Sequence, residues 1–423
     1  MWDLIRANKR KSVGLIVVLG LFFVVLGYVI GLSLDSRAGP SGVAIALAVW
    51  VVMMFASVAG GEKILLATAG AREVTHEQAP QLFNIVEEMK IASGLPVLPR
   101  VYVIDSGVPN AFAVGLTPKR AAVAVTTGLM GRLSRDELQG VIAHEIGHIA
   151  NRDTLFMTLA GVTVGAIIIL ADLYLRGMRF SSGRSRRSSS RGGGQGAAII
   201  MLIALLLAVL APLLAQLLYF ACSRRREYLA DASSAQFTRY PAGLASALEK
   251  ISSYEGEKLE VSRAVAPMFT VNPMSAASTT SNILSTHPPT ADRIRVLLSM
   301  AGGSSFAAYE EAYRRLHGGK AVVGARNLAA SAEGGVRAPS AAEPADPAKQ
   351  WRSAVDVLHK ANQYATVGCA CGLNMKLPPG FDQKTVKCPR CGRVHEVPMA
   401  AVMAAMVAVD QGLNKPMPPV YKK

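Results

Sequence analysis

Two stretches near the N-terminus contain no charged residue and constrain the fold more than any other feature of the sequence. They span residues 12–34 and 38–61. Each is long enough to cross the hydrocarbon core of a bilayer, which takes about 20 apolar residues as a helix. Two further apolar runs cover residues 154–171 and 192–223. The sequence therefore predicts a mainly α-helical, multi-pass membrane protein with four apolar helices.

The charge pattern predicts how these helices are oriented. The chain is 51% hydrophobic with a mean hydropathy of +0.31, yet it carries a net charge of +16. Basic clusters flank the first and fourth apolar runs: Arg6, Lys9, Arg10 and Lys11, and Arg224, Arg225 and Arg226. Such clusters hold the cytoplasmic ends of membrane helices, so the excess charge does not require a nucleic-acid partner. We expect an inner (plasma) membrane protein whose residues from 62 onward begin in the cytoplasm. The arginine-rich loop 176–196 does not fit this rule, and its side stays open.

Composition divides the chain into four parts. Residues 1–61 form the first two membrane helices. Residues 62–316 read as an α+β domain interrupted by a membrane hairpin at about 154–223. Residues 317–349 are rich in Gly, Ala, Ser and Pro, which is typical of a flexible linker. Residues 350–423 form a small C-terminal module.

The stretch VIAHEIGHIANRD carries the clearest chemical signal. A capping box at Ser134 and Glu137 predicts that a helix begins just before it. On a helix, His144 and His148 are four residues apart and share one face, so both imidazoles can bind one Zn²⁺. Glu145 then lies beside the metal and can act as the general base on a zinc-activated water. The alternative is that the three are ordinary polar residues of a surface helix.

A catalytic zinc site needs a third protein ligand. The segment EYLAD follows the fourth apolar run and places Glu227 and Asp231 four residues apart. Glu227 can complete a two-histidine, one-glutamate site, and Asp231 can hydrogen-bond a ligating histidine. A solvated acidic face, or pairing with the preceding arginines, is the alternative. The apolar hairpin between His148 and Glu227 would bring the two halves of the site together close to the bilayer.

Residues 1–316 resemble the HtpX-type membrane zinc metallopeptidases, relatives of the prenyl-protein (CAAX) endopeptidases. The resemblance is carried by VPNAFAVG, AAVAVTTGLM, LSRDELQGVIAHEIGHIANRDTL, RRREYLAD and STHPPTADRI. It implies a zincin-like α+β fold and quality control of membrane proteins by cleavage at the cytoplasmic face. It also implies that His144, His148 and Glu227 are the zinc ligands and Glu145 the base.

Three further assignments come from the same resemblance. The strand region that contains Ala124 and Val125 matches the sheet edge that would hold a substrate peptide by strand addition. His287 in STHPP would donate a hydrogen bond to the oxyanion, or would only cap a turn. Asn110 in PNAF would lie near the substrate cleft, or would be a turn residue.

The C-terminal module departs from the family pattern. It contains Cys369, Cys371, Cys388 and Cys391 in two close pairs, which predicts a structural zinc site in a small β-rich zinc ribbon. The first pair is spaced C-x-C rather than C-x-x-C, so His395 is an alternative ligand. A redox pair, or incidental thiols, is the competing interpretation. The module has few aromatics for stacking on bases, which favours a protein partner over nucleic acid.

Two functions follow from these observations. The first is a membrane-embedded zinc endopeptidase with one catalytic and one structural zinc, acting on membrane or misfolded proteins. The second is a non-catalytic membrane adaptor whose zinc ribbon recruits a protein partner. Glu145 favours the enzyme, because a purely structural metal site has no use for a carboxylate beside the metal.

Overall fold

Two long helices begin the chain and pack as an antiparallel pair, α1 (Trp2–Leu34) and α2 (Gly39–Thr68). The two helices can approach closely because Gly42 has no side chain. A Cβ added there would lie 2.2 Å from the Gly27 carbonyl oxygen. Helix α2 is long and apolar enough to cross a membrane by its length and composition. The computed structural model describes residues 2–35, 37–159, 167, 224–254, 256, 288–300, 302–329, 335–340, 346–379 and 381–398. Most of the predicted hairpin at 154–223 lies outside them.

Helix α2 is fixed to the domain that follows it. Its backbone leaves helical geometry at Gly60 (φ −162°, ψ 28°). Arg120 donates to the Val58 and Ala59 carbonyls at this kink, at 2.8 and 2.9 Å, and to the buried carboxylate of Glu62 at 2.8 Å. The guanidinium thus satisfies carbonyls next to the kink and ties the last turns of α2 to the soluble domain.

A four-stranded sheet in the order β1-β2-β4-β3 lies at the centre of this domain. β1 and β3 pair antiparallel to their neighbours, whereas β2 and β4 run parallel. Alternate residues face two apolar layers: Val101 and Val103 join the layer of helices, while Tyr102 and Ile104 join α1 and α2. The sheet is therefore buried on both faces. Its strands are β1 (Ala71–Glu73), β2 (Arg100–Ile104), β3 (Ala111–Val114) and β4 (Ala122–Thr126).

The strand order corrects one prediction. Ala124 and Val125 lie on β4, which pairs with β2 on one side and with β3 on the other. The prediction that this region is the sheet edge is therefore wrong, because both rows of its backbone groups already bond to neighbours. Within the described residues the outer strand on that side is β3, which follows Asn110 directly.

Helices cover the sheet on the side opposite α1 and α2. The amphipathic helix α3 (Pro80–Ser93) is capped by Gly94, whose φ of 68° suits glycine. The capping box predicted at Ser134 is present and starts α5. The remaining helices are α3 (Pro80–Ser93), α4 (Thr127–Met130), α5 (Arg135–Ala150), α6 (Arg224–Thr238), α7 (Pro241–Ser252), α8 (Thr290–Leu298), α9 (Phe306–Leu316), α10 (Ala325–Ala329) and α11 (Pro347–Ala361).

The described parts of the predicted linker contact the domain. Glu310 accepts the backbone N–H groups of Val322 and Val323 at 3.0 and 2.7 Å, and both valines are buried in the helical core. Further on, Arg337 donates to Asp136 at 2.8 Å. Residues 318–329 and 335–340 thus pack against the domain, which differs from the free linker that their composition predicts. Residues 330–334 and 341–345 lie outside the described residues.

The C-terminal module contains two small antiparallel hairpins after α11. The first pairs β5 (Ala365–Gly368) with β6 (Asn374–Leu377), and the second pairs β7 (Thr385–Lys387) with β8 (Val394–Glu396). A small core of its own includes Val367, Met375 and Leu377. The loops of the two hairpins carry the four C-terminal cysteines.

Candidate active site

Helix α5 carries the two histidines at the centre of the domain. His144 and His148 are 0% and 3% exposed, and their rings lie 4.7 Å apart between centroids. The i, i+4 spacing on a helix that is buried along almost its whole length places both imidazoles on one inner face. Neither histidine therefore belongs to a surface helix.

Helix α6 supplies the acidic half of the site and crosses α5 at close range. A Cβ added at Gly147 would lie 2.9 Å from Ser233 Cβ, so the missing side chain permits the approach. Ser234 Oγ also donates to the Gly140 carbonyl at 2.7 Å. Because α5 and α6 pack this closely, Glu227 and Asp231 on α6 face the histidines, and both carboxylates are 0% exposed.

The ligand atoms have the spacing of a tetrahedral metal site. His144 Nε2 lies 3.2 Å from His148 Nε2, and the two lie 3.5 and 3.4 Å from the carboxylate oxygens of Glu227. Two ligands about 2.05 Å from a tetrahedral zinc are separated by about 3.3 Å. His144, His148 and Glu227 therefore suit a metal ion such as Zn²⁺, which would be held by the two Nε2 atoms and a carboxylate oxygen of Glu227.

Carboxylates hold the other nitrogen of each ring. His144 Nδ1 lies 2.9 Å from Asp231 Oδ1, and His148 Nδ1 lies 3.2 Å from Asp153 Oδ2. Each carboxylate fixes the tautomer in which Nδ1 carries the proton, which aims the Nε2 lone pair at the metal position. Asp231 thus lies where the sequence predicts an orienting residue.

The site is strongly charged although it is buried. Burial opposes protonation of His148, but its hydrogen bonds to Asp153 and Glu227 outweigh burial and raise its pKa well above the ordinary value. The pKa of His144 is raised in the same way by Asp231 and Glu227. The acidic neighbours thus favour positive charge on the two rings, and a bound metal ion would displace the protons from the Nε2 atoms.

Arg293 and Asp153 are residues of the site that the sequence analysis missed. Arg293 is 1% exposed and binds both oxygens of Asp231, at 2.9 and 2.6 Å. Its Nη1 also lies 3.6 Å from Glu227 Oε2. Burial opposes ionisation of Asp231, but the charge of Arg293 outweighs it and lowers the pKa of that carboxyl. Both residues lie in quoted motifs, ANRD and TADRI, but nothing in their spacing points to the histidines.

The remaining predicted residues are distributed as follows. Glu145 is 2% exposed and follows His144 on α5. Asn110 is 2% exposed at the start of β3, where its N–H donates to Thr126 Oγ1 at 2.9 Å. Ala124 and Val125 lie inside the sheet. His287 lies outside the described residues, so its role stays a prediction.

The four C-terminal cysteines converge at the tips of the two hairpins. Cys369 Sγ lies 3.4 Å from Cys391 Sγ, and Cys371 Sγ lies 3.6 Å from Cys388 Sγ. All four sulfur atoms lie within 4.8 Å of one another. In a tetrahedral Zn–S₄ site the sulfurs are about 3.8 Å apart. Burial opposes ionisation of the Cys388 thiol, but the backbone N–H groups of Cys391 and Arg390 outweigh it and lower its pKa to about 6. The group is suited to hold a metal ion.

Two histidines on one buried helix, a glutamate from helix α6 and a carboxylate beside the first histidine form the site expected of a metallopeptidase. Residues 76–301 match Peptidase family M48. The chain belongs to this family. Membership implies a metal cofactor, typically zinc, and the enzyme is a metalloprotease.

Individual relatives agree with this assignment. The chain is similar to a "Protease HtpX homolog" of Dictyoglomus thermophilum, with 43% identity over 299 residues, 71% of this chain and 94% of the relative. A second, from Listeria innocua, is 42% identical over 305 residues, 71% of this chain and 100% of the relative. Among solved structures, Ste24p of S. mikatae is similar, with a TM-score of 0.37 and 20% identity over 70% of this chain and 66% of that one. The resemblance to the HtpX-type peptidases is confirmed.

Proposed function

We propose that the protein is a zinc-dependent endopeptidase that cleaves membrane or misfolded proteins at the cytoplasmic face of the inner membrane. The observation that carries the proposal is the convergence of three buried side chains: the Nε2 atoms of His144 and His148 lie 3.2 Å apart, and each lies within 3.5 Å of one carboxylate oxygen of Glu227. Glu145 is buried next to this set and is the general base.

Each residue has a distinct part in peptide hydrolysis. Zinc, when bound, acts as a Lewis acid that makes water acidic enough to react at neutral pH. Glu145 accepts a proton from the attacking water and later donates it to the leaving amine. Asp231 and Asp153 keep the Nδ1 protons of the histidines in place, so that both Nε2 atoms remain ligands.

The surface of α2 supports a membrane location. Its large apolar side chains are exposed, including Val52 at 65% and Phe55 at 75%. A row of such residues on a long helix is costly in water and stable in lipid. The basic residues before the first apolar run favour a cytoplasmic N-terminus, and α2 then returns the chain to the cytoplasm. The peptidase domain follows α2 directly.

The outer strand β3 is the proposed place for the substrate backbone. An extended peptide adds to the outer strand of a sheet through main-chain hydrogen bonds, which accepts many side-chain sequences. We assign this role to β3 and not to β4, because β4 is already paired with a strand on each side. Asn110 begins β3 and fixes its position through Thr126.

The C-terminal module is proposed to hold a second, structural zinc through Cys369, Cys371, Cys388 and Cys391. A core this small does not stabilise two short hairpins on its own, whereas a metal that joins both does. Four cysteines leave no open position for a substrate, so the site has a structural role. Its outer surface is the proposed contact for a protein partner.

Cleavage of an unfolded test protein by detergent-purified, zinc-loaded enzyme tests the proposed activity. Wild type is compared with Glu145→Gln, which keeps the size of the side chain and removes the base. Glu249→Gln, an exposed residue of α7, is the matched control. We expect wild type and the control to cut, and Glu145→Gln to lose at least about a hundredfold in rate at equal zinc content. Equal rates for all three proteins would contradict the role of Glu145. Failure of wild type to cut while holding zinc would favour an adaptor.

A further inference from the structure

The family match ends at residue 301, and several segments that follow contact the peptidase domain, among them helix α11. Helix α11 lies against the short helix α4 and the turn after it. Gln350 Nε2 donates to the carbonyls of Met130, at 3.1 Å, and Leu133. At its other end, α11 places Ala361 in the domain core, and Gln78 donates to the Lys360 carbonyl at 3.1 Å. The helix is thus held at both ends.

Trp351 is the centre of this contact. Its ring rests on Gly131, where an added Cβ would lie 2.4 Å from Trp351 Cε3. The guanidinium of Arg132 lies 5.3 Å from the Trp351 ring and 4.7 Å from the Tyr254 ring. Arg132 is therefore in cation–π contact with two aromatic rings, one from the C-terminal extension and one from the turn that follows α7.

Arg132 also contacts the loop between β2 and β3. Its Nη1 donates to the Gly107 carbonyl at 2.8 Å. The same loop packs tightly on α4, since a Cβ added at Gly128 would lie 2.2 Å from the Gly107 oxygen. Trp351, Arg132 and Gly107 thus form a continuous path from the extension into the loop.

The loop ends at the proposed substrate strand. Thr126 Oγ1 donates to the Val108 carbonyl at 2.7 Å, and Asn110 N–H donates to the same hydroxyl at 2.9 Å. Asn110 is then followed by β3 without an intervening turn. A displacement of Gly107 would therefore alter the position of the strand end that receives substrate.

We propose that Trp351 is a positioning residue for the substrate: through Arg132 it holds loop 106–110 and the start of β3, so that the C-terminal module sets the affinity for protein substrates. The inference rests on the proposed function, since it assigns substrate binding to β3. It predicts that docking of α11 changes KM and leaves the metal site and the chemical step unchanged. Any protein that pulls the module away would then lower peptidase activity at limiting substrate.

Two substitutions undock α11 from opposite sides. Trp351→Ala removes the ring, and Gly131→Ala inserts a methyl group into its seat, at a backbone φ of −76° that alanine adopts without strain. Trp351→Phe keeps an aromatic ring over Gly131 and is expected to rescue. Arg352→Ala changes an exposed neighbour on the same helix and is the matched control.

Hydrogen exchange and cleavage kinetics are measured on the full-length, zinc-loaded protein. In Trp351→Ala and Gly131→Ala we expect the amides of Val108 and Asn110 to exchange roughly tenfold faster, because they report local opening of the loop. We expect KM for an unfolded protein to rise about three- to tenfold with kcat nearly constant. Gly131→Ala should add nothing in the Trp351→Ala background, since the ring it displaces is absent.

The two readouts separate the inference from the proposed function. Exchange is measured without any cleavage, so it stands even if the enzyme cuts no test protein. Unchanged exchange at Val108 and Asn110 in both undocked variants would overturn the path from Trp351 to the loop. Faster exchange with an unchanged KM would overturn its role in substrate binding. A fall in kcat together with zinc loss would show a merely structural role and overturn it as well.

Discussion

Arg293 binds Asp231 through two parallel hydrogen bonds of 2.9 and 2.6 Å inside the domain, where neither residue reaches solvent. Asp231 in turn contacts His144 Nδ1 at 2.9 Å. A chain of three residues from α8, α6 and α5 therefore ends at a proposed zinc ligand. Because both partners are buried, the pair is stable only while its geometry is kept, and it fixes the helices relative to each other.

Arg293→Lys tests this arrangement. Lysine keeps the charge but loses the planar pair of donors that holds both oxygens of Asp231. We expect zinc affinity at the histidine site to fall about 10- to 100-fold, the usual cost of losing support for a ligating histidine. Competition with a zinc chelator measures it. Arg295→Lys, two residues further on α8 and 67% exposed on its side chain, should match wild type. Equal affinity in all three proteins would show that Arg293 does not support the site.

Metal removal should destabilise the peptidase domain, because the zinc binds only the folded arrangement of His144, His148 and Glu227. A ligand at about 1,000 times its Kd adds about 4 kcal/mol of stability. We therefore expect a chelator to lower the midpoint of thermal unfolding by roughly 10 °C. Readdition of zinc should restore it. In His148→Ala the chelator should lower the unfolding midpoint by less, because this variant has no zinc to lose from the histidine site. The same shift in both proteins would argue against binding there.

Acid should release residues 337–340 from the domain. Burial opposes ionisation of Asp136, but hydrogen bonds from Ser340 and Arg337 outweigh it, so its pKa is lowered in the folded state. Such a group stabilises the fold above the unfolded pKa of about 3.9, and the contribution disappears as the pH falls through the lower folded value.

Asp136→Asn removes this charge. At pH 7 we expect its unfolding midpoint to lie roughly 3 °C below wild type. The difference should vanish once the pH falls below the lowered folded pKa of Asp136, because wild type is then protonated as well. Asp382→Asn, an exposed residue of the C-terminal module, is the control at each pH. A difference that stays constant with pH would mean that the charge of Asp136 does not hold the segment.

Zinc stoichiometry tests the C-terminal site. Cys388→Ala should lower the zinc content from about two to about one per chain, because removing one thiolate from a tetrahedral site weakens it strongly. Cys222→Ala changes the one cysteine of the sequence outside this group of four, and this variant should keep both zinc ions. Metal analysis of purified protein measures this. A content of one in wild type and in both variants would contradict a zinc among the four cysteines.

The sequence predicts which residues meet at the candidate site because their placement depends on local periodicity. The capping box at Ser134 sets the start of α5, and the i, i+4 rule then places His144 and His148 on one face. Glu227 and Asp231 follow the same rule on α6. The structure brings the two pairs together. The hairpin that the sequence predicts between them stays a prediction, because most of it lies outside the described residues.

Features that depend on contacts between distant parts of the chain cannot be predicted from local periodicity. Alternation of apolar residues identifies β4 as a strand, but nothing in it states that β3 pairs on its outer side. Arg293 reaches the site from 62 residues beyond Asp231, and its motif resembles the ordinary start of a helix. Trp351 lies in a segment whose composition predicts a separate module, so its contact with Gly131 becomes visible only in the fold.

Anomalous diffraction at the zinc absorption edge, from crystals of the zinc-loaded protein, tests the central claim most directly. The account predicts an anomalous peak about 2.1 Å from the Nε2 atoms of His144 and His148 and at a similar distance from a Glu227 oxygen. A second peak among the four C-terminal sulfurs would be independent of the first. Zinc elsewhere in the domain, with these three side chains bonded only to one another, would contradict the proposed active site.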